Sequence, residues 1–152
     1  MHIAVINGPN LRLVGHRAYG PETLDDIEVL MRTRADALGL ELTFTQSDSE
    51  GALVSTINGF RDVDGIIINA SSYAHTSLAI ADALALSGVP VIEVHFTNIY
   101  ARETFRHASF IAPIAWGQIV GFGYRGYLAA LELLYGRLEE GTEAMPVQSG
   151  LA

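Results

Sequence analysis

Short apolar runs rich in β-branched residues alternate along the chain with longer stretches of helical periodicity. The apolar runs cover residues 3–6, 42–45, 66–68, 89–94 and 109–111. Because they lack polar alternation, they predict strands buried on both faces, as in a parallel sheet. Strands that alternate with helices imply right-handed crossovers. The pattern therefore predicts an α/β fold: a flavodoxin-like, doubly wound, five-stranded parallel sheet with strand order 2-1-3-4-5.

Helical periodicity fills the intervals between the predicted strands. The first helix is predicted to follow Thr23, an N-cap with Asp26 three residues on, and to end at Gly39. Further helices are predicted near residues 53–60, over 77–86 and over 126–138. Beyond them the chain becomes polar and is interrupted by Gly, Pro and Ser. We therefore expect one catalytic domain over residues 1–140 and a mobile C-terminal tail over 141–152.

Polar side chains follow three of the predicted strands. The first strand is followed by Asn7-Gly8-Pro9-Asn10, the third by the polar segment 69–77, and the fourth carries or precedes Glu93, His95, Thr97 and Asn98. In an open parallel sheet the ligand binds beyond the carboxyl ends of the strands. These three clusters are therefore expected to converge on one binding site.

Glu93 and His95 are the strongest candidates for acid–base chemistry. They lie two apart on a predicted strand, so their side chains share a face. A carboxylate beside an imidazole fixes its tautomer and favours its protonated form, which prepares a general acid. The alternative for this pair is a buried ion pair at a strand end. His75 lies in the second polar cluster, where a lone histidine is more often structural, and the histidines lack a short metal-ligand spacing.

Two pairs of residues suggest an anionic ligand and a possible base. Arg102 and Arg106 are four apart in a predicted helical stretch over residues 101–107, where two guanidinium groups suit a carboxylate or phosphate. The alternative for them is a solvated helix face. Arg17 and Tyr19 flank one residue in a glycine-bounded loop. A nearby guanidinium would favour the phenolate form of the tyrosine.

Composition removes several kinds of chemistry. The 152 residues contain no cysteine, and all nine positive side chains are arginine. Schiff-base chemistry on lysine, thiol nucleophiles and thiolate metal sites are therefore excluded. The net charge of −8 argues against nucleic acid or an anionic membrane surface as a partner. The absence of a targeting pattern or a long apolar run makes the cytoplasm the expected location.

A glycine pattern near the last predicted helix has a structural explanation. Residues 121–126 fit G-x-G-x-x-G and open that helix. No strand is predicted to follow the helix, so the pattern cannot complete a dinucleotide-binding βαβ unit. We expect it to permit close packing at the start of the helix.

Read together, the motifs resemble the type II 3-dehydroquinate dehydratase family over roughly residues 1–138. They are Ile6-Asn7-Gly8-Pro9-Asn10-Leu11, Tyr19-Gly20 with Thr23-Leu24, Gln46-Ser47-Asp48-Ser49-Glu50-Gly51, Ile68-Asn69-Ala70, His75-Thr76-Ser77, Glu93-Val94-His95, Asn98, Ala101-Arg102-Glu103, Phe105-Arg106 and the run from Gly117 to Tyr127. The resemblance implies a flavodoxin-like dodecamer built from trimers. It also implies dehydration of 3-dehydroquinate, a small cyclic anion, to 3-dehydroshikimate without metal or cofactor.

The resemblance also assigns roles to residues by position. Tyr19 would take a C2 proton, with Arg17 holding it as phenolate, and Asn10 would position a water that stabilises the enolate. His95, oriented by Glu93, would protonate the departing C1 hydroxyl. The remaining assignments concern binding: Asn69, His75 and Arg106 for substrate hydroxyls, the backbone near Phe96 and Thr97 for the carboxylate, Arg102 for the lid, and Asp82 for the active site of a neighbouring subunit.

The chain departs from the family pattern at several positions. Only Ala18 separates Arg17 from Tyr19, where the family usually has three more residues. The other departures replace a usual glycine, a Thr or Ser, an arginine and a serine: Ser71, Ala74, Ala81 and Thr97. Two alternatives to the dehydratase therefore stay open. One is a paralogue that dehydrates a related cyclic hydroxyketone, and the other is a catalytically silent, anion-binding oligomer.

Overall fold

Five parallel strands form the centre of the molecule. The structure is a computed structural model that describes residues 1–16 and 20–141. The strands are β1 (His2–Asn7), β2 (Glu41–Gln46), β3 (Gly65–Asn69), β4 (Val91–His95) and β5 (Gly117–Val120). They form a single sheet in the order β2-β1-β3-β4-β5, and every pairing is parallel. The predicted fold class and strand order are confirmed.

Four α-helices cover the two faces of the sheet. They are α1 (Leu24–Leu38), α2 (Glu50–Gly59), α3 (Leu78–Ser87) and α4 (Arg125–Glu139). Alternate residues of β1 belong to two different hydrophobic layers, one on each face of the sheet. Ile3 and Val5 pack in the layer that contains residues of α1 and α4, whereas Ala4 and Ile6 pack in the layer that contains residues of α2 and α3. Both faces of the strand are therefore buried, as its unbroken apolar sequence indicated.

The first helix begins and ends as its sequence predicts. The Thr23 hydroxyl accepts a hydrogen bond from the Asp26 amide at 3.1 Å, and the Asp26 carboxylate accepts one from the Thr23 amide at 2.8 Å. These two bonds form a capping box. The bond from the Thr23 amide and, after it, a bond that the Thr23 hydroxyl donates to the same carboxylate at 2.8 Å lower the pKa of the Asp26 carboxyl. Gly39 ends the helix with a positive φ of 70°.

The predicted fifth strand was wrong. Residues 109–111 form a turn, because the Ser109 hydroxyl accepts hydrogen bonds from the amides of Ile111 and Ala112 at 3.0 and 3.1 Å. The fifth strand is β5, which begins at Gly117. The helical stretch predicted over residues 101–107 is also corrected, since two short 3₁₀ helices, Ile99–Ala101 and Thr104–Arg106, take its place.

Close packing at the start of α4 is confirmed. A Cβ placed on Gly126 would lie 3.2 Å from Cγ1 of Val94 and 3.3 Å from Cγ2 of Ile119, closer than most Cβ contacts, so a larger residue would require these side chains to shift. None of the helices within the described ranges has the length and hydropathy that crossing a bilayer requires. The predicted mobile tail lies, from residue 142 onward, outside the described residues.

Candidate active site

A cavity of about 180 Å³ lies at the carboxyl ends of β1, β3 and β4. The residues that line it come from all three polar clusters: Pro9, Asn10, Leu11, Asn69, Ser71, Ser72, His75, His95, Phe96, Thr97, Ile99, Arg102 and Arg106. We call this space the carboxyl-edge cavity. Segments far apart in sequence meet there because parallel strands all end at the same edge. The predicted convergence of the polar clusters is therefore found in the structure.

Glu93 and His95 form a hydrogen-bonded pair at the end of β4. The distance from His95 Nε2 to Glu93 Oε1 is 2.7 Å. Glu93 is fully buried, and His95 is only 5% exposed. Because Nε2 donates to the carboxylate, Nδ1 is the nitrogen that can hand a proton to a bound molecule. The structure thus places an oriented imidazole on the wall of the cavity.

Glu93 receives two further hydrogen bonds from behind the cavity. The Ser109 hydroxyl donates to Oε1 at 2.6 Å, and the Gln118 side-chain amide donates to Oε2 at 2.8 Å. Gln118 is the register partner of Glu93 in the β4–β5 pairing, which places the two side chains next to each other. The roles of Ser109 and Gln118 were missed from sequence, because the fifth strand was assigned to residues 109–111 and not to β5.

His75 stacks against His95 on the same wall. Their ring centroids are 5.8 Å apart, with an angle of 18° between the ring planes. His75 Nδ1 donates to the carbonyl oxygen of Ala108 at 2.7 Å, so Nε2 is its other hydrogen-bonding position. The backbone bond fixes the ring, and the cavity gains a second imidazole in a defined orientation.

Arg102 and Arg106 supply the positive charge of the cavity, and Glu103 connects them. Its carboxylate lies 2.9 Å from Arg106 Nε and 3.6 Å from Arg102 Nε. A backbone hydrogen bond within Glu103 and, after it, the Arg106 and Arg102 guanidiniums lower the pKa of this carboxyl. The segment that contains the two 3₁₀ helices therefore brings both arginines to the cavity, although it is not the single helical stretch that was predicted.

A tight turn after β1 places Asn10 at the mouth of the cavity. Asn10 has a φ of 67°, and its backbone amide donates to Oδ1 of Asp48 at 2.9 Å. A Cβ on Gly8 would lie 2.4 Å from the carbonyl oxygen of Ala70, so only glycine fits between β1 and the segment after β3. Glycine at position 8 thus lets two walls of the cavity meet.

A buried network lies beneath Asn69. The Tyr127 hydroxyl donates to Oδ1 of Asn7 at 2.7 Å and accepts from Nδ2 of Asn69 at 3.0 Å. Burial raises the pKa of the Tyr127 hydroxyl well above its ordinary value. Asn69 Oδ1 also accepts the Ser71 amide at 3.1 Å, and Ser71 adopts a φ of 53°. The expectation that Ser71 stands at a position suited to glycine agrees with this positive φ.

The predicted site residues fall into three groups. Those that line the carboxyl-edge cavity or lie directly behind it are Asn10, Asn69, His75, Glu93, His95, Phe96, Thr97, Arg102 and Arg106. Asp82 is exposed on α3 and is not among the residues that line the cavity of its own chain. Arg17 and Tyr19 lie outside the described residues. Sequence reasoning missed the roles of four supporting residues: Asp48, Ser109, Gln118 and Tyr127.

This fold and cavity define a flavodoxin-like α/β protein with a cavity lined by arginine and histidine side chains at the carboxyl edge of its sheet. Residues 1–135 match the family described as Dehydroquinase class II, and the chain belongs to that family. It is an enzyme of the carbon–oxygen lyase class.

Relatives and solved structures agree with this assignment. A 3-dehydroquinate dehydratase of Dinoroseobacter shibae is 49% identical over 150 residues, covering 96% of this chain and all of the relative. One of Roseiflexus castenholzii is 50% identical, covering 93% of this chain and 92% of the relative. The crystal structure of the type II dehydroquinase from Butyrivibrio crossotus is similar at a TM-score of 0.85 and 42% identity, covering 88% of this chain and 97% of that one.

Proposed function

We propose that this chain dehydrates 3-dehydroquinate to 3-dehydroshikimate through an enolate intermediate, with neither metal nor cofactor. Family membership and the names of its relatives support the substrate. The observation that carries the proposal is the Glu93–His95 pair on the wall of an arginine-lined cavity. A β-hydroxyketone that loses water needs a base at the α carbon, stabilisation of the enolate and an acid at the leaving hydroxyl.

His95 is the acid of this proposal. In the second step, which follows removal of the C2 proton, the electron pair of the enolate forms the C1–C2 double bond and the ketone is restored. The C1–O bond breaks, and the hydroxyl leaves as water with the proton from His95 Nδ1. The imidazole becomes neutral while Nε2 keeps its bond to Glu93. A buried carboxylate 2.7 Å from the ring stabilises the imidazolium before transfer.

Tyr19 is the base of this proposal, and Arg17 supports it. In the first step the phenolate oxygen takes a proton from C2, and the electron pair of the broken C–H bond forms the enolate. The fixed charge of the Arg17 guanidinium favours phenolate without competing for the proton. Asn10 holds a water against the enolate oxygen. Its place at the mouth of the carboxyl-edge cavity supports this assignment.

Substrate binding is assigned to the polar wall of the same cavity. The sites proposed for the substrate hydroxyls are Asn69, His75 and Arg106, the backbone near Phe96 and Thr97 holds the carboxylate, and Arg102 supports the lid that carries Tyr19. All of these except the lid border the carboxyl-edge cavity. Two guanidiniums and two imidazoles around one cavity favour an anion that also offers hydroxyl groups.

The assembly and location are further parts of the proposal. We infer a dodecamer of trimers in which Asp82 reaches the active site of a neighbouring subunit. The exposure of Asp82 on α3 is compatible with that role. A cytoplasmic location remains a prediction.

The central experiment follows the ultraviolet absorbance of the enone after 3-dehydroquinate is added. The wild type is expected to turn over, and His95→Ala and Tyr19→Phe are each expected to lose at least about a hundredfold in kcat. Val29→Ala, at an exposed position on α1, is the control and should keep the wild-type rate.

Two outcomes would contradict parts of the proposal. No turnover by a folded, assembled wild type would overturn the substrate assignment. If related cyclic hydroxyketones then gave an enone, the chain would be a paralogous dehydratase. Turnover that survives Tyr19→Phe unchanged would overturn the identity of the base while leaving the reaction in place.

A further inference from the structure

Three hydrogen-bond donors surround the Glu93 carboxylate in the described part of the chain. His95 Nε2 and the Ser109 hydroxyl reach Oε1, and the Gln118 amide reaches Oε2. The carboxylate is fully buried, so these three bonds replace the water that an ionised carboxylate would otherwise bind.

The direction of the Ser109 bond is fixed by its backbone neighbours. Its hydroxyl oxygen accepts the amides of Ile111 and Ala112 at 3.0 and 3.1 Å. Both acceptor positions of the oxygen are then used, which leaves its single proton for Glu93 at 2.6 Å. Ser109 therefore donates a hydrogen bond to Glu93 and cannot at the same time accept one from it.

The Gln118 side chain reaches Glu93 from the neighbouring strand. Its amide nitrogen donates to Glu93 Oε2 at 2.8 Å, because an ionised carboxylate can only accept. Its Oε1 accepts a hydrogen bond from the Tyr100 hydroxyl at 3.2 Å. The register pairing of Gln118 with Glu93 keeps the two side chains adjacent. This second donor thus belongs to a different element from the first.

Three donors around one carboxylate oppose its protonation. Each donor interacts more strongly with the ionised carboxylate than with the neutral acid, so together they favour the ionised form. We propose that Ser109 and Gln118 are positioning residues that keep Glu93 ionised and so hold the proton on His95 for transfer to the substrate. This inference rests on the proposed function only in taking His95 as the acid.

Other charged and titratable groups lie near His95, and they make its protonated form depend more strongly on an ionised Glu93. His75 stacks on the ring from the 3₁₀ helix Ser71–His75, and Arg102 and Arg106 line the same cavity from the segment after β4. The positive charge of the arginines disfavours a further positive charge on His95. The Glu93 carboxylate is the negative group in contact with the ring, so its ionisation decides whether the imidazolium persists.

The test compares Ser109→Ala and Gln118→Leu with Ser109→Thr, which keeps the hydroxyl, and with Ser87→Ala. The Ser87 hydroxyl makes an equally short bond, 2.6 Å, to the carbonyl oxygen of Leu84 at the end of α3, away from the carboxyl-edge cavity. With 3-dehydroquinate, Ser109→Ala and Gln118→Leu should each lower kcat about tenfold and change KM less than about twofold. Ser109→Thr should recover most of the loss, and Ser87→Ala should match the wild type.

The pH dependence separates this role from a structural one. Loss of a donor favours protonation of Glu93, so the imidazolium should be lost at lower pH. The alkaline limb of the kcat profile should therefore move toward lower pH by about half a unit to one unit in Ser109→Ala and Gln118→Leu. A variant that was only less stable would lower activity or melting temperature without moving that limb.

A titration of the His95 imidazole by NMR gives a readout that does not need turnover, with the signals assigned from a His95→Asn spectrum. We expect them to titrate at lower pH in Ser109→Ala and Gln118→Leu than in the wild type and Ser87→Ala. Titration at the wild-type pH in both variants would overturn the inference. A wild type without turnover would overturn the proposed function instead, and the NMR comparison would still decide the inference. If Ser109→Ala fails to fold because the turn amides lose their acceptor, Gln118→Leu supplies the same comparison.

Discussion

Ser71 holds its backbone in the left-handed region, at a φ of 53°, although serine carries a Cβ. The left-handed conformation costs an L-residue about 1–2 kcal/mol, which glycine avoids. The larger entropy of glycine in the unfolded chain offsets part of that gain. We therefore expect Ser71→Gly to raise the free energy of unfolding by about 0.5–1 kcal/mol, measured by urea denaturation.

Ser72 provides the matched control for this prediction. It lies in the same 3₁₀ helix, Ser71–His75, and it does not have a positive φ. Ser72→Gly should lower the free energy of unfolding, because there the glycine brings only its entropic cost. Equal losses in the two variants would contradict the claim of strain at Ser71.

Tyr127 makes its contribution through one hydroxyl that two buried amides share. Tyr127→Phe would leave Asn7 Oδ1 and Asn69 Nδ2 each without the hydroxyl that now binds it. A buried group deprived of its partner costs about 1–3 kcal/mol, so we expect a loss of about 2–4 kcal/mol in the free energy of unfolding. Asn69 borders the carboxyl-edge cavity, so KM should rise as well. Thermal unfolding and steady-state kinetics test both effects, and Tyr135→Phe, on the same helix, is the control.

The burial of Tyr127 also predicts that the free energy of unfolding depends on pH. Burial raises the pKa of Tyr127 above the ordinary value of 10, so the unfolded chain releases this proton first as the pH rises. The contribution of Tyr127 is complete below about pH 10 and falls above it by up to about 1.4 kcal/mol per pH unit. The stability gap between the wild type and Tyr127→Phe should therefore narrow between about pH 9.5 and 11. A gap that stayed constant over this range would contradict the prediction.

The segment after β4 carries the positive charge of the site: Arg102 directly follows the first 3₁₀ helix, Arg106 ends the second, and Glu103 lies between them. Glu103→Gln would remove the charge that holds both Arg102 and Arg106 in place. Because Glu103 is exposed, its ion pairs are weakened by solvent, and we expect only about a two- to fivefold rise in KM with little change in kcat. Glu28→Gln, which removes a similar exposed contact with Arg32 on α1, should leave both constants unchanged. An unchanged KM in Glu103→Gln would show that the arginines keep their positions without it.

Elements differ in how fully their sequences specify them. The central strands were predictable because burial on both faces requires unbroken apolar runs such as 66–68. β5 lies at the edge of the sheet, where Gly117 and Gln118 interrupt the apolar pattern, and no local signal marks it as a strand. The run 109–111 was misleading because Ser109 binds two backbone amides and so forms a turn.

The candidate site could likewise be predicted from the sequence only in part. Residues that follow strands could be grouped from sequence, because strand polarity alone decides the edge at which they meet. The residues that lie behind them could not be grouped with the site from sequence. Gln118 reaches Glu93 only through the β4–β5 register, and Tyr127 reaches Asn7 across 120 positions of the chain. Such contacts depend on tertiary packing, which periodicity does not encode.

At the scale of the whole molecule, the proposed assembly predicts a mass in solution. Twelve copies of a 16.4 kDa chain give a particle of about 200 kDa. Light scattering is expected to find this mass, with trimers as the intermediate on dilution or mild denaturation. A stable monomer would contradict the assembly and, with it, the proposed contribution of Asp82 to a neighbouring subunit.

Mixing two inactive variants tests whether the active site is shared between subunits. If Asp82 acts in a neighbouring site, Asp82→Ala and His95→Ala damage sites in different ways. A mixed trimer can then contain a site with His95 from one chain and Asp82 from another. After random exchange of equal amounts, about a quarter of the sites should regain both residues, and activity should rise accordingly from a low starting value.

A second mixture provides the control for this experiment. Asn69 and His95 line the cavity of the same chain, so Asn69→Ala mixed with His95→Ala leaves every site with one defect. That mixture should regain no activity, although its subunits exchange to the same extent, as mass spectrometry of differently tagged chains can verify. Recovery in the first mixture and not in the second would place Asp82 in the site of a neighbour. Verified exchange without recovery in the first mixture would mean that each chain forms its site without the Asp82 of another, and the substrate-binding role proposed for Asp82 would be wrong.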